Sequence, residues 1–512
     1  MSNNNHKKDE LSDKHLVDDD KLINFFCKLL EERKIEFINQ IKEINLFNND
    51  FEGLNEECYR HVVITNDVHS VKKECLTLSH VLKKFTNLDE KKDRAKLIRE
   101  RKYVLQSLWP HFVRNAIKLL RQKDQRDKGE LKFDFGVKNL TDYFEKFSEF
   151  EELLYGIDEY YRDHTLHTFR VYLLGEYVFR RIFKNGYDRL EIKGKPDEVI
   201  IDTSEKEAMW CLMALCHDLG YPLEIFDELN KKLLKILDFF GTSNFQRVRF
   251  SLPNEGAILD KFILKIVSSK LNKKRDNEYE VESQSKFYTK YANSYEKLNH
   301  GIMSCVLLVK NLVFFKETDY KKTFKEAVDN EDKDTDVDFM DDIKQYLIRR
   351  EILRAIASHA NPDIYHLQMN NFSFLLTAFD EIQEWNRPIA KKREHYQIEE
   401  KEKIYISEFN EKSIEISFAL NITDGEIEKY QKIKFQKFIR LLRSAVDSFN
   451  RKFDFKMVIK NYNGTEYIFE YSNPDEHYEK KENKQQPYNR PTLKRKTNGK
   501  EDPDYSLDNI LE

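Results

Sequence analysis

Apolar residues recur at helical spacing along most of the first 390 residues, and the pattern changes after about 400. Between about 20 and 150, LINFFCKLLEERKIEFINQI and VLQSLWPHFVRNAIKLL place apolar side chains three and four residues apart, which predicts amphipathic helices. Nothing in that stretch gathers reactive side chains, so residues 19–150 read as a supporting N-terminal helical region. From about 151 to 395 the periodic segments become more apolar, and several carry a histidine or aspartate inside the apolar run. They cover residues 163–183, about 205–219, a segment after Asn299, about 339–359 (stopping at Asn361-Pro362), and about 371–386 before Pro388. Ser204 followed by Glu207 reads as a capping box opening the second of these, and Gly220 with Pro222 as its stop. Between that stop and His300 the pattern predicts at least two further helices, with KLNKKRDNEYEVESQSK as an exposed loop or lid base. VDNEDKDTDVDF reads as a second, acidic loop before the fourth helix.

Past residue 400, KSIEISFALNI alternates like a strand and EIEKYQKIKFQKFIRLLRSAVDSF reads as an amphipathic helix. KMVIKNYNGTEYIFEY reads as a hairpin turning at Asn463-Gly464. The expected fold class is therefore mainly α: a helical bundle over 151–395 beside the N-terminal helical region, with a small α+β appendage at 400–472. Residues 1–18 and 473–512 are too polar to bury a core and are expected to be disordered.

Composition narrows the class. With 14 glycines and 10 prolines in 512 residues, long helices are favoured over a turn-rich β protein. A formal net charge of −4 gives no global attraction to nucleic acid or anionic lipid. The basic run NRPTLKRKTNGK is better read as a solvated tail than as a nucleic-acid contact, since no aromatic residues interleave with the charges. The longest apolar run, near 302–315, is interrupted by Lys310 and too short to span a bilayer. Six cysteines without CxxC pairs, after a polar acidic N-terminus, point to free thiols in a reducing compartment and hence a cytoplasmic location. Oligomerisation stays open.

The chemistry concentrates at His217-Asp218, at the end of the apolar segment WCLMALCHDLGYP. A buried carboxylate is costly without a positive partner, and a metal ion satisfies imidazole and carboxylate together. The alternative is a pair of cap residues on a solvated helix end. His164 and His167 share a helix face three residues apart; His300 opens an apolar helix, His359 closes AIASH, and Asp380 sits inside FSFLLTAFDEIQEW. Each alone reads equally well as a surface residue or a satisfied core polar group. Convergence on one ion or ion pair explains them together.

The order His167, His217-Asp218, His300, His359, Asp380 resembles the HD superfamily of metal-dependent phosphohydrolases, with HTFRV at 167–171 and CHDLG at 216–220 as its local signatures. The resemblance covers about 150–390. It implies an HD-type helical bundle in which His167, His217, Asp218 and Asp380 hold a first metal. It further implies that His300 and His359 serve a second, with Asp218 shared, as in binuclear phosphodiesterase-like members. Within it, His167 is a better ligand than His164, which is left as a substrate contact. Two divalent transition ions (Mn, Fe or Zn rather than Mg) and a nucleotide-like phosphate substrate follow from the resemblance, with Asp218 and His217 as catalytic residues. The chain departs from the family in two places. Its GYP abuts the HD pair, unlike the cyclic-dinucleotide phosphodiesterases named for HD and GYP, and Tyr221 replaces the lysine that often follows HD-x-G. Tyr221 is thus a weak substitute for that lysine, and Arg387 in EWNRP a candidate phosphate contact or a plain surface arginine. Cys216 reads as a small core residue. Hydrolysis of a nucleotide or cyclic (di)nucleotide phosphoester or phosphoanhydride is the leading expectation; a deoxynucleoside-triphosphate hydrolase or a non-catalytic nucleotide sensor are the alternatives.

Overall fold

The computed structural model describes residues 15–32, 34–35, 43–44, 76–86, 94–122, 136–157, 161–183, 185–237, 239, 256–274, 278–318, 323–324, 339–364, 368–387, 402–446, 453–473, 492–503 and 505. At its centre lies the Thr203–Cys216 helix, in which every residue from Ala208 to Cys216 is fully buried. Four helices surround it: Arg94–Gln122, Thr165–Tyr177, Phe339–His359 and Phe372–Ile382. An apolar helix with no polar face has to lie inside a bundle. Its N-terminus is fixed by a capping box in which the Asp202 carboxylate accepts from the Glu205 N–H and Glu205 accepts from the Asp202 N–H. This box sits two residues before the expected Ser204–Glu207 pair. Pro222 opens the next helix, Tyr221–Leu237, instead of only ending the previous one, as suits a residue with no N–H to leave unpaired in a first turn.

The Arg94–Gln122 helix packs directly on the central helix, where Trp109 Nε1 donates to the Leu215 carbonyl at 2.9 Å. One contiguous apolar cluster runs from Val17 to Leu493. The N-terminal helical region therefore shares the core of the histidine-bearing helices.

The expected fold class, mainly α with a small appendage, is corrected by the sheets. A seven-stranded mixed sheet runs in the order 16–17, 403–409, 413–420, 453–461, 465–473, 492–497, 500–502. Its neighbours are antiparallel except for the parallel pair 413–420 and 453–461, which the Asp424–Val446 helix connects. The strand, helix and hairpin anticipated after 400 are its middle, but it is larger than a 400–472 appendage. Leu16 and Val17 add an edge strand against Tyr405 and Ile404. Residues 492–502, inside the tail expected to be disordered, add two strands beyond 465–473. The stretch read as an exposed loop after residue 270 forms a hairpin, Ser269–Lys273 with Tyr279–Ser283, extended by Thr323–Phe324. The protein is mostly helical with substantial α+β content. Residues 1–14, the acidic loop at 328–338 and residues 474–491 lie outside the described residues. No described helix is long and apolar enough to cross a membrane.

Candidate metal centre

Each segment that carries a candidate ligand ends or begins at one place. The central helix runs out at Cys216, so His217 and Asp218 sit in the turn that follows. That turn lies against the start of the His300–Asn311 helix. A Cβ on Gly220 would fall 2.3 Å from the His300 carbonyl oxygen, so only glycine permits the approach. Ser304 locks it, accepting from the Gly220 N–H at 2.7 Å and donating to the His217 carbonyl at 2.6 Å. Gly301 does the same service on the other side, since a Cβ there would meet the Ile356 carbonyl at 2.7 Å and the His359 ring at 3.3 Å. Asn299 caps the helix as expected, accepting from the Gly301 N–H.

The six side chains anticipated as ligands come together. Asp218 divides them: its Oδ2 lies 3.4 Å from His217 Nε2 and 3.9 Å from His167 Nε2, while its Oδ1 lies 3.5 Å from His300 Nε2 and 3.6 Å from His359 Nε2. Asp380 Oδ1 lies 2.7 Å from His167 Nε2 and 3.8 Å from His217 Nε2. The Nε2 atoms of His300 and His359 are 3.1 Å apart. Donor atoms of His167, His217 and Asp380 fall within 4.8 Å of one another, and so do those of His217, Asp218 and His359.

The other ring nitrogen of each histidine meets an acceptor: Gln383 Oε1 for His167, the Ala214 carbonyl for His217, Glu224 Oε2 for His300 and the Ile356 carbonyl for His359. An acceptor at each Nδ1 favours a proton there and turns each Nε2 inward. His217 Nε2 is buried without a hydrogen-bond partner among the described residues.

Burial acts on all of these groups and the charges decide the outcome. Burial lowers the His217 pKa, but Asp218 and Asp380 outweigh it and push it up to about 10. Burial likewise opposes ionisation of Asp218 and Asp380, yet the surrounding imidazoles hold both well below the usual carboxylate range. Burial and the Arg387 charge depress His167, and burial depresses His359.

His164 does not join the cluster. Its buried ring stacks on Tyr221 with centroids 3.6 Å apart, and its Nδ1 sits 3.2 Å from the Tyr161 hydroxyl, which donates to buried Glu151. Burial drives its pKa well below the usual histidine value. Tyr221 lies between His164 and His300, 6.0 Å from the latter's ring. Arg387 donates from Nε to the Asp163 carbonyl at 2.9 Å, which places its charge beside His164 and His167. Cys216 is fully buried and its thiol pKa is pushed up, as befits a core residue.

No protein-family model, curated protein or solved structure matches the chain.

Three contributors went unnoticed in the sequence. Gln383 lies three residues after Asp380, just past the end of the Phe372–Ile382 helix, and no helical spacing marks it. Glu224 and Ser304 carry no local signal, because each becomes relevant only when the 217–220 turn meets the His300 helix.

Proposed function

We propose that this protein is a metal-dependent phosphohydrolase of the HD type, acting on a nucleotide or cyclic (di)nucleotide. The observation that carries the reading is the split of Asp218, one carboxylate oxygen toward His167 and His217 and the other toward His300 and His359. Asp218 could thereby serve two cations, one alongside each pair of histidines. His217 Nε2, buried without a hydrogen-bond partner among the described residues, fits a cation too, since the two carboxylates that draw a proton to it would equally draw a metal ion.

His167, His217, Asp218 and Asp380 would hold one ion, and Asp218, His300 and His359 the other. The imidazole-rich set suits Mn, Fe or Zn better than Mg. Bound there, divalent ions supply Lewis acidity toward phosphoryl oxygens and acidify water. The chain's own groups do the rest. Asp218 stays ionised and so keeps both oxygens available as acceptors. Arg387, tethered through Nε, offers its remaining guanidinium N–H groups to a phosphate at the rim of the site. His164 is held neutral by burial, with its ring fixed between Tyr161 and Tyr221, which suits it to a hydrogen bond with substrate. Four described cysteines, all buried free thiols, fit the reducing cytoplasm as the place of action.

The test is turnover of a panel of nucleotides, cyclic nucleotides and cyclic dinucleotides by the purified chain reconstituted with Mn²⁺, with products separated by chromatography and metal counted in parallel. Hydrolysis of at least one phosphoester or phosphoanhydride is expected, along with bound transition metal. A preparation that retains no transition metal after reconstitution, or that binds metal yet hydrolyses nothing in the panel, removes the reading.

A further inference from the structure

A large cavity lies away from the histidine cluster. It encloses about 1190 Å³ between the Asp19–Glu31 helix, the chain just past the Thr165–Tyr177 helix and the Lys403–Phe409 strand. Ten residues separate His167 from Tyr177 along one helix, which at 1.5 Å per residue puts the two sites about 15 Å apart. Three departures from regular backbone meet at its walls. Val178–Ile182 is a π-helical turn, closed by the Phe183 N–H donating to the Val178 carbonyl at 2.7 Å. Asn185 is left-handed at φ 53°. The 403–409 strand slips register between Ile406 and Glu408, which bulges Ser407 at the cavity wall. π turns, left-handed non-glycine residues and bulges each cost pairing or strain, and they gather at binding sites more often than elsewhere.

The lining has a cationic side and an aromatic side. Five cations (Lys21, Lys28, Lys34, Arg180, Arg181) face two carboxylates, Glu32 and Asp188. Lys34 is spent on Glu32, and Arg180 is braced from behind by buried Glu176 and Glu207. Lys28 and Arg181 are exposed and form no ion pair among the described residues. Next to them Phe25 packs edge-on to Tyr177 at 5.2 Å, with Lys21 Nζ 5.5 Å from the Tyr177 ring centre.

We propose that this cavity is a second ligand site, for a nucleoside triphosphate: phosphates on Lys28 and Arg181, the base against Phe25, whose ring buried Tyr177 backs edge-on. A polyanion answers the two cations that form no ion pair among the described residues, and a flat base answers the part-exposed Phe25 ring, while the volume admits both. The inference does not depend on the metal reading, because no residue is shared between the two sites.

Calorimetric titration of the full chain with ATP in EDTA, which keeps cations out of the histidine cluster, tests it. Saturable binding is expected. Lys28→Glu with Arg181→Glu should weaken it at least tenfold, and Phe25→Ala should weaken ATP while sparing inorganic triphosphate. Arg387→Ala should bind ATP as the wild type does, with circular-dichroism melts showing that each variant folds. Absence of saturable binding, wild-type affinity in the folded double charge reversal, or loss of binding in Arg387→Ala overturns the site. Equal affinity for ATP and inorganic triphosphate overturns the assignment of a nucleoside.

Discussion

The two oxygens of Asp218 give the candidate centre its most testable feature, because on the proposed reading they would assign different histidines to different ions. Asp218→Ala should remove both metals and all turnover. His300→Ala and His359→Ala should each leave one metal on His167, His217, Asp218 and Asp380, while turnover falls on the order of a thousandfold, several kcal/mol of lost transition-state stabilisation. Metal stoichiometry with a thermal melt as folding control reads this out; full metal content and full activity in both histidine variants would mean that one ion suffices. Glu224 acts through His300, so Glu224→Gln keeps the shape but weakens the acceptor for the His300 Nδ1–H at 2.6 Å. Loss of such a partner typically costs about 10–100-fold in metal affinity or activity. Competition against a metal chelator is the measurement, and an unchanged affinity would reduce Glu224 to a cap of the His300 N–H, which it also accepts at 2.7 Å.

Among the elements, the histidine-bearing helices were legible because their signals are local. Apolar runs with Asn299 and Asn371 at their starts and Asn361-Pro362 after their end mark the boundaries that the structure keeps. The strand at 16–17 and the pair at 492–502 were not legible, since a strand of two residues, or one of mostly polar residues, is defined by the neighbour it pairs with and not by its own alternation. Asp19 was missed for the same reason: it looks like a first-turn helix acid, yet it is buried. Arg170 reaches it through Nε at 2.9 Å and Nη2 at 3.0 Å, and Trp385 and Asn386 also donate to it. It thereby ties the first helix both to the His167 helix and to the loop after Asp380. Burial opposes its ionisation, but Arg170 and Arg101 prevail and hold its pKa at about 2. The folded value lies below the unfolded value of about 3.9, so the stabilisation is complete above pH 4 and disappears as pH falls through 2; it amounts to about 2–3 kcal/mol. Asp19→Asn should cost about 3–5 kcal/mol at neutral pH by stranding Arg170, and should flatten the acid limb of the stability curve. Urea melts from pH 2 to 7 on both proteins measure it, and parallel curves would show that Asp19 contributes no ionic term.

At the scale of the molecule, the C-terminal sheet and the histidine bundle are joined by charge as well as by apolar contact. Lys434, on the Asp424–Val446 helix, is almost fully buried, and its Nζ meets Glu384 Oε1 at 2.6 Å and Glu381 Oε2 at 3.2 Å. Glu381 directly follows Asp380, and Glu384 also pairs with Arg162, whose Nε donates to the Arg387 carbonyl. The sheet therefore braces the strip of chain that carries one candidate ligand and the candidate phosphate contact. The tail in turn braces the sheet: Leu493 is buried, and Tyr505 packs on Tyr467 and accepts from Gln431 at 2.5 Å. Deleting residues 474–512 removes two strands and these contacts, so it should lower the melting temperature by several degrees, whereas a solvated tail would leave it unchanged. Lys434→Met separates support of the site from support of the fold. Methionine fills the same space, and Glu384 keeps Arg162, so the cost should fall below the ~3–5 kcal/mol of a fully broken buried pair. The chain should stay folded while Glu381, left with Lys437 alone, and Glu384, left with Arg162 alone, shift the 380–387 segment. The expected result is an intact sheet with weakened metal retention, read by circular dichroism and by metal content after dialysis. If Lys434→Met lowers stability without touching metal retention, the C-terminal unit supports the fold alone and the candidate centre is independent of it.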